Sequence, residues 1–136
     1  MEIITIDQDI KVMYIAATSF PDGVLAAHQQ LHALIPYSDD RRYFGISRPE
    51  NGPIAYKAAA EEMETGEAEK LNLKSLTLKK GKYISLTIKD FMKDIPAIQK
   101  AFNLLIAQPG LDPEGYCVEQ YIKQKDLICM IRLADK

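Results

Sequence analysis

Glu119 is the side chain best placed to do chemistry, because the stretch around it, Gly115 to Leu133 (GYCVEQYIKQKDLICMIRL), is otherwise apolar and aromatic with a polar middle. Two runs rich in β-branched and aromatic residues flank Lys123-Gln124-Lys125-Asp126, the pattern of a β-hairpin. With Ile122 opposite Leu127, the side-chain period of two sorts the hairpin into faces. Tyr116, Val118, Gln120 and Ile122 then meet Leu133, Ile131, Cys129 and Leu127 as a core face. Cys117, Glu119 and Tyr121 meet Arg132, Met130 and Ile128 on the other. A carboxylate among Tyr, Met and Ile suits a pocket for a large, apolar, cationic ligand, since a buried and unpaired charge is costly. The alternative is an exposed ion pair of Glu119 with Arg132, its diagonal neighbour, worth about 0–1 kcal/mol. In a pocket, the Glu119 carboxyl would titrate above its usual range and suit general acid or base work, with Tyr121 on the same face to assist. A single carboxylate lacks a partner for the opposite proton transfer, so counter-charge binding is the simpler expectation.

Other groups offer less. His28 and His32 stand four apart on an expected helix, a spacing that can hold a metal, but no third ligand accompanies them. They read as helix-surface histidines. Cys117 and Cys129 are the two cysteines, and the assumed register sends them to opposite faces, which disfavours a disulfide. Nothing in the sequence brings a histidine to Cys117 for thiol catalysis. No CxxC motif is present, so neither a metal nor a redox cofactor is expected.

The elements that must position Glu119 follow from patterning. At 136 residues with a net charge of -2, the chain is expected to be one domain that gives no support to a nucleic-acid surface. No stretch reaches the ~18 apolar residues of a membrane-spanning helix, and the start lacks a basic region followed by an apolar run. A cytoplasmic location is expected. Residues 2–6 and 10–18 read as one long or broken strand. Ser19-Phe20-Pro21-Asp22 opens a helix with Val24, Leu25, His28, Leu31, Leu34 and Ile35 as its apolar stripe, ended by Pro36. Residues 41–47 form a strand, and 54 to about 63 a second, although AAAEEME favours helix on intrinsic propensity. Residues 64–72 are an acidic connector. Residues 76–88 form a strand and 93–107 an amphipathic helix with Asp94 as N-cap, before the hairpin closes the chain. The order strand–helix–strand–strand thus occurs twice, in halves 1–66 and 67–136, each a three-stranded sheet with one helix. Two such halves side by side would leave a ligand groove between them.

With Tyr43-Phe44-Gly45-Ile46-Ser47 before a Pro/Gly turn, Ile54-Ala55-Tyr56-Lys57-Ala58 after it, Lys80-Gly81-Lys82-Tyr83, and Tyr116-Cys117-Val118-Glu119-Gln120-Tyr121, the chain resembles the GyrI-like small-molecule-binding domain. That domain is also the effector-binding half of AraC- and MerR-type multidrug regulators, and the likeness runs from about Ile10 to Leu133. It implies an α+β fold of duplicated strand–helix–strand–strand units whose antiparallel sheets form a central groove. The function it implies is binding of a hydrophobic, cationic or planar small molecule, with Glu119 as counter-charge. It also implies that Tyr83 and Tyr56 face the groove while Tyr43 and Phe44 border it. Tyr121, Met130 and Cys117 join the site through the hairpin register, and Tyr14 and Phe91 are rim candidates. Two features depart from the family: Ile88-Lys89-Asp90-Phe91-Met92 lacks the usual glycine turn, and the chain has no tryptophan. Some relatives hydrolyse reactive small molecules with a glutamate and a tyrosine, here Glu119 and Tyr121. The namesake acts on DNA gyrase, so a protein-interaction role is a further expectation, with the acidic run Glu61 to Glu69 facing a basic partner. No helix-turn-helix fits, so direct DNA binding is not expected, and a regulatory role would need a separate DNA-reading chain.

Overall fold

The computed structural model describes residues 1–135. In chain order the elements are β1 (Glu2–Ile6), β2 (Ile10–Ala16), α1 (Val24–Leu34), β3 (Tyr43–Pro49), β4 (Ile54–Glu61), α2 (Glu67–Lys70), β5 (Lys74–Leu78), β6 (Gly81–Ile88), a 3-10 turn (Phe91–Lys93), α3 (Pro96–Ile106), β7 (Cys117–Ile122) and β8 (Asp126–Arg132). The fold is α+β, and the chain divides into two compact units. One is residues 9–79; the other joins residues 1–8 to the chain from Lys80 onward.

Residues 9–79 form an antiparallel sheet in the order β3-β4-β2-β5, with α1 packed on β4 and β2. The alanine-rich run is a strand, as expected against its helix propensity. Ala60 lies opposite Tyr43 and Ala58 opposite Gly45, on the face toward α1, and both alanines are fully buried. Small side chains there let Ala27 and Leu31 of the helix reach the sheet, so packing outweighs local preference. The helix starts later than the sequence suggests: Gly23 is its N-cap and no side chain caps it. Its buried face runs through Ala27, Leu31 and Ile35, while Leu25 and Leu34 of the expected stripe are exposed. The acidic connector contains the short α2. There Arg41 grips Glu67 through two bonds of 2.9 and 2.8 Å, and the guanidinium holds that carboxyl down at about 2.

The second unit is an antiparallel sheet in the order β1-β6-β8-β7, with α3 over β6 and β8. Ala101, Phe102 and Leu105 of α3 pack on Leu127, Cys129 and Ile131 of β8, flanked by Ile84, Leu86 and Ile88 of β6. Pro96 rather than Asp94 sets where α3 begins, with Ile95 as N-cap, since proline is pre-shaped for the first helical position and has no N–H to leave unbonded. Of the two alternatives for residues 2–18 the structure has the broken strand, and the strand expected over 76–88 is also divided. Asp7-Gln8-Asp9 separates β1 from β2, and Lys79-Lys80 separates β5 from β6. In consequence β1 pairs with β6 (Glu2 opposite Ser85, Ile6 opposite Gly81), and β5 pairs with β2. Each unit therefore has four strands instead of the three expected per half, and the units divide the chain at different places from 66/67.

Arg132, 8 % exposed, fastens the start of β6 to the end of β8. Its guanidinium donates to Asp112 Oδ2 (3.0 Å), Asp135 Oδ1 (3.0 Å), and the carbonyls of Lys80 (3.0 Å) and Leu133 (3.3 Å). Gly81 (φ +138°) passes so close that a Cβ there would lie 2.9 Å from Arg132 Nη2. Among the described residues, no helix is long and apolar enough to cross a membrane. Replacing Arg132 with leucine strands Asp112 without its cation and is expected to lower the unfolding free energy by about 3 kcal/mol in urea denaturation. A loss below ~1 kcal/mol would mean the network is no stronger than an exposed pair.

Candidate functional site

The β7–β8 register differs by one residue from the expected one. Ile122 lies opposite Asp126, Tyr121 opposite Leu127, Glu119 opposite Cys129 and Cys117 opposite Ile131. The cause is the turn. Lys123 and Gln124 both take left-handed backbone angles (φ +52° and +59°), and Lys125 N–H closes on the Ile122 carbonyl at 3.0 Å. Three residues, not four, are left in the loop. Changing the loop from even to odd moves one strand's side chains to the opposite face. Cys117, Glu119 and Tyr121 thus share the α3 side of the sheet with Leu127, Cys129 and Ile131, not with Met130, Ile128 and Arg132. Met130 sits opposite Val118 and Ser85 on the reverse face, and Arg132 lies there opposite Tyr83. The cysteines, expected on opposite faces, share one.

On that face Glu119 is partly buried between Cys117 and Tyr121, beside the α3 core. The Tyr121 hydroxyl donates to Glu119 Oε1 at 2.8 Å. Phe91 meets the Tyr121 ring edge-on, with centroids 5.6 Å apart at 61°. Burial, then the nearby Glu119 charge, pushes the Cys117 thiol up to about 11. Cys129 is pushed to about 12 by burial, then by Glu119 and Cys117. Both thiols keep their protons at neutral pH, so neither is an activated nucleophile. The row offers a negative charge and a phenol set against an apolar, aromatic surround.

In residues 9–79, Tyr56 and Tyr43 lie on the α1 side of the sheet. The Tyr56 hydroxyl is 2.8 Å from His28 Nε2, and its ring is stacked by Phe20 with centroids 5.9 Å apart at 23°. Tyr43 lies between His32 (5.0 Å) and Tyr37 (5.2 Å), and its hydroxyl accepts the Ser38 N–H at 2.8 Å. The histidines thus face the sheet's tyrosines and are not surface groups. For His28, its place inside the apolar helical stripe was the signal; His32 lay outside that stripe. Phe44 and Tyr14 are on the reverse face. Phe44 is fully buried, and Lys57 Nζ lies 5.4 Å from the Tyr14 ring centroid. The ten candidate residues therefore fall on both faces of each sheet. Cys117, Glu119, Tyr121 and Phe91 are brought together, whereas Tyr83 and Met130 lie behind them.

No protein-family model matches the chain, and no curated protein matches it. Solved structures do. An integron cassette protein from the mobile metagenome of Vibrio cholerae superposes with a TM-score of 0.66 at 12 % identity, over 98 % of this chain and 95 % of the other. SAV2435, in a structure bound to tetraphenylphosphonium, gives 0.65 at 13 % identity, over 98 % and 93 %. A hydrolase from Listeria innocua gives 0.58 at 11 % identity, over 98 % and 90 %. At these identities the likeness is one of fold.

Burial, then the neighbouring His32, brings His28 down from 6.5 to about 4. The unfolded chain therefore takes up this proton first, so the stability it contributes is full above pH 6.5 and falls as pH drops toward 4. Urea titrations at pH 7 and pH 4 should show a loss on the order of 3 kcal/mol that His28→Gln lacks. Equal pH slopes in the two chains would show that the folded protein protonates His28 freely.

Proposed function

We propose that the chain binds an apolar small molecule carrying positive charge, and that Glu119 is its counter-charge. The observation that carries this is a partly buried carboxylate, hydrogen-bonded by Tyr121, in the middle of a strand whose neighbouring side chains are thiols, aliphatics and aromatics. A small hydrated cation would gain little by exchanging water for such a surface. A cation wrapped in apolar groups keeps its charge attraction and also buries its periphery. Tyr121 and Phe91 add ring surfaces that favour cations and aryl groups. Tetraphenylphosphonium, the molecule bound in the SAV2435 structure, has this chemistry, which supports the reading. We read the chain as a GyrI-like domain, since strand–helix–strand–strand recurs in both units, as duplication would leave it.

Hydrolysis of a reactive small molecule is a second reading, favoured by the 2.8 Å bond between Tyr121 and Glu119, which pairs a proton donor with a base. Turnover of strained or ester-like substrates, lost in both Glu119→Gln and Tyr121→Phe, would support it.

Calorimetry with tetraphenylphosphonium, a planar aromatic cation and a neutral lipophile tests the first reading. Glu119→Gln should keep the fold and weaken the cations by ~1.5–3 kcal/mol while leaving the neutral compound unchanged. Equal affinity of both proteins for all three compounds, or no binding by either, would rule the counter-charge out.

A further inference from the structure

The middle of β4 carries a charged group among apolar and aromatic neighbours. Lys57 lies opposite Ile46 of β3 and Ala16 of β2, and Ala59, next along that face, lies opposite Phe44 and Tyr14. Phe44, Ile46 and Ala59 are fully buried, and Lys57 is only 9 % exposed. An ammonium has three protons to donate, and burying them without acceptors is costly. Among the described residues the Lys57 ammonium has a single acceptor, Glu50 Oε1 at 3.4 Å, and the Tyr14 ring with its centroid 5.4 Å away. That oxygen also lies 3.4 Å from Arg48 Nε, so two cations share it. We infer that Lys57 is the centre of a site for a small monocarboxylate with an apolar body, whose place beside the ammonium Glu50 holds until the ligand displaces it.

The fit of Glu50 is poor enough to be improved on. Bonds between an ammonium and a carboxylate usually close to about 2.7–2.9 Å, and this one stays at 3.4 Å while serving Arg48 as well. Glu50 is also free to leave. It stands in the turn after β3 with its side chain 38 % exposed, and its backbone N–H is held by the Pro53 carbonyl at 2.8 Å. The carboxylate can therefore swing into water by side-chain rotation, with the turn unchanged. The charge of Lys57 draws the Glu50 carboxyl below its ordinary range, so the position already receives a carboxylate anion. Beside it, Ala16 is exposed and offers an alkyl body an apolar surface to cover. A phosphate dianion is more strongly hydrated and gains nothing from such a surround, which favours the monocarboxylate. The inference does not rest on Glu119, and its ligand bears the opposite charge to the one proposed there.

Calorimetry with hexanoate tests the site, with hexanamide as the neutral control and inorganic phosphate as the dianion. Glu50→Gln removes the competing charge and should bind hexanoate about tenfold more tightly than wild type. Lys57→Met keeps the length and apolar stem of the side chain and should lose hexanoate altogether. Hexanamide should bind neither wild type nor Glu50→Gln, and phosphate should bind both more weakly than hexanoate does. If Lys57→Met does not fold, Glu50→Gln decides alone, because a pair that only holds the turn in place gives that variant no affinity for hexanoate. Hexanoate binding that is absent or weaker in Glu50→Gln would overturn the inference. So would binding that persists in folded Lys57→Met, equal binding of hexanamide, or a preference for phosphate.

Discussion

Lys123, Gln124 and Lys125 turn the chain between β7 and β8, and the chemistry of the β7 row depends on how they do so. Their odd number puts Glu119 on the α3 side of the sheet, and the turn is also tied to the segment that bears Phe91. The Lys125 carbonyl accepts the Phe91 N–H at 3.1 Å, and the Asp126 carboxylate accepts the Asp90 N–H at 3.0 Å. That second bond draws the Asp126 carboxyl below the ordinary carboxylate range. One turn thereby fixes the face of Glu119 and Tyr121 and brings the Phe91 ring to the edge of Tyr121. An extra residue in the turn would separate these relations together.

Ionisable groups withdrawn from water are handled here in distinct ways. Arg132 keeps its charge because two carboxylates and two carbonyls answer its guanidinium. His28 gives its charge up, and Cys117 and Cys129 never acquire one at neutral pH. Arg132 belongs to a closed structural network, the satisfied form in which a buried charge is tolerable. Glu119 sits beside two thiols whose protons it helps to retain.

Legibility in the sequence followed the strength of each local signal. Alternation in Tyr83 to Ile88 and the 3.6-residue spacing of Ile98, Phe102 and Leu105 announced β6 and α3. The alanine strand was legible through the family likeness, because propensity alone argues for helix at Ala58 to Met63. The turn was misread for a physical reason. Lys and Gln at positive φ carry no Asn-Gly or Asp-Gly mark, so nothing local told three loop residues from four. Glu119 and Tyr121 stayed neighbours in either register, being two apart on one strand. Met130 did not, since its place beside them required the register to be right. Phe20 was read only as part of a helix start, and its contact with Tyr56 joins residues far apart in the sequence.

The pairing of β1 with β6 has a consequence for the chain as it is made. Residues 9–79 are continuous and can close their own sheet as soon as they leave the ribosome. The strand Glu-Ile-Ile-Thr-Ile emerges before them, yet its partner Gly81–Ile88 is synthesised only after that whole unit. Throughout that interval an uncovered, isoleucine-rich segment without proline or lysine waits with its backbone unpaired, the kind of stretch that sticks to its own copies. Residues 2–6 thus stay open to self-association until residues 81–88 are made, and slow elongation between β1 and β6 would lengthen that interval.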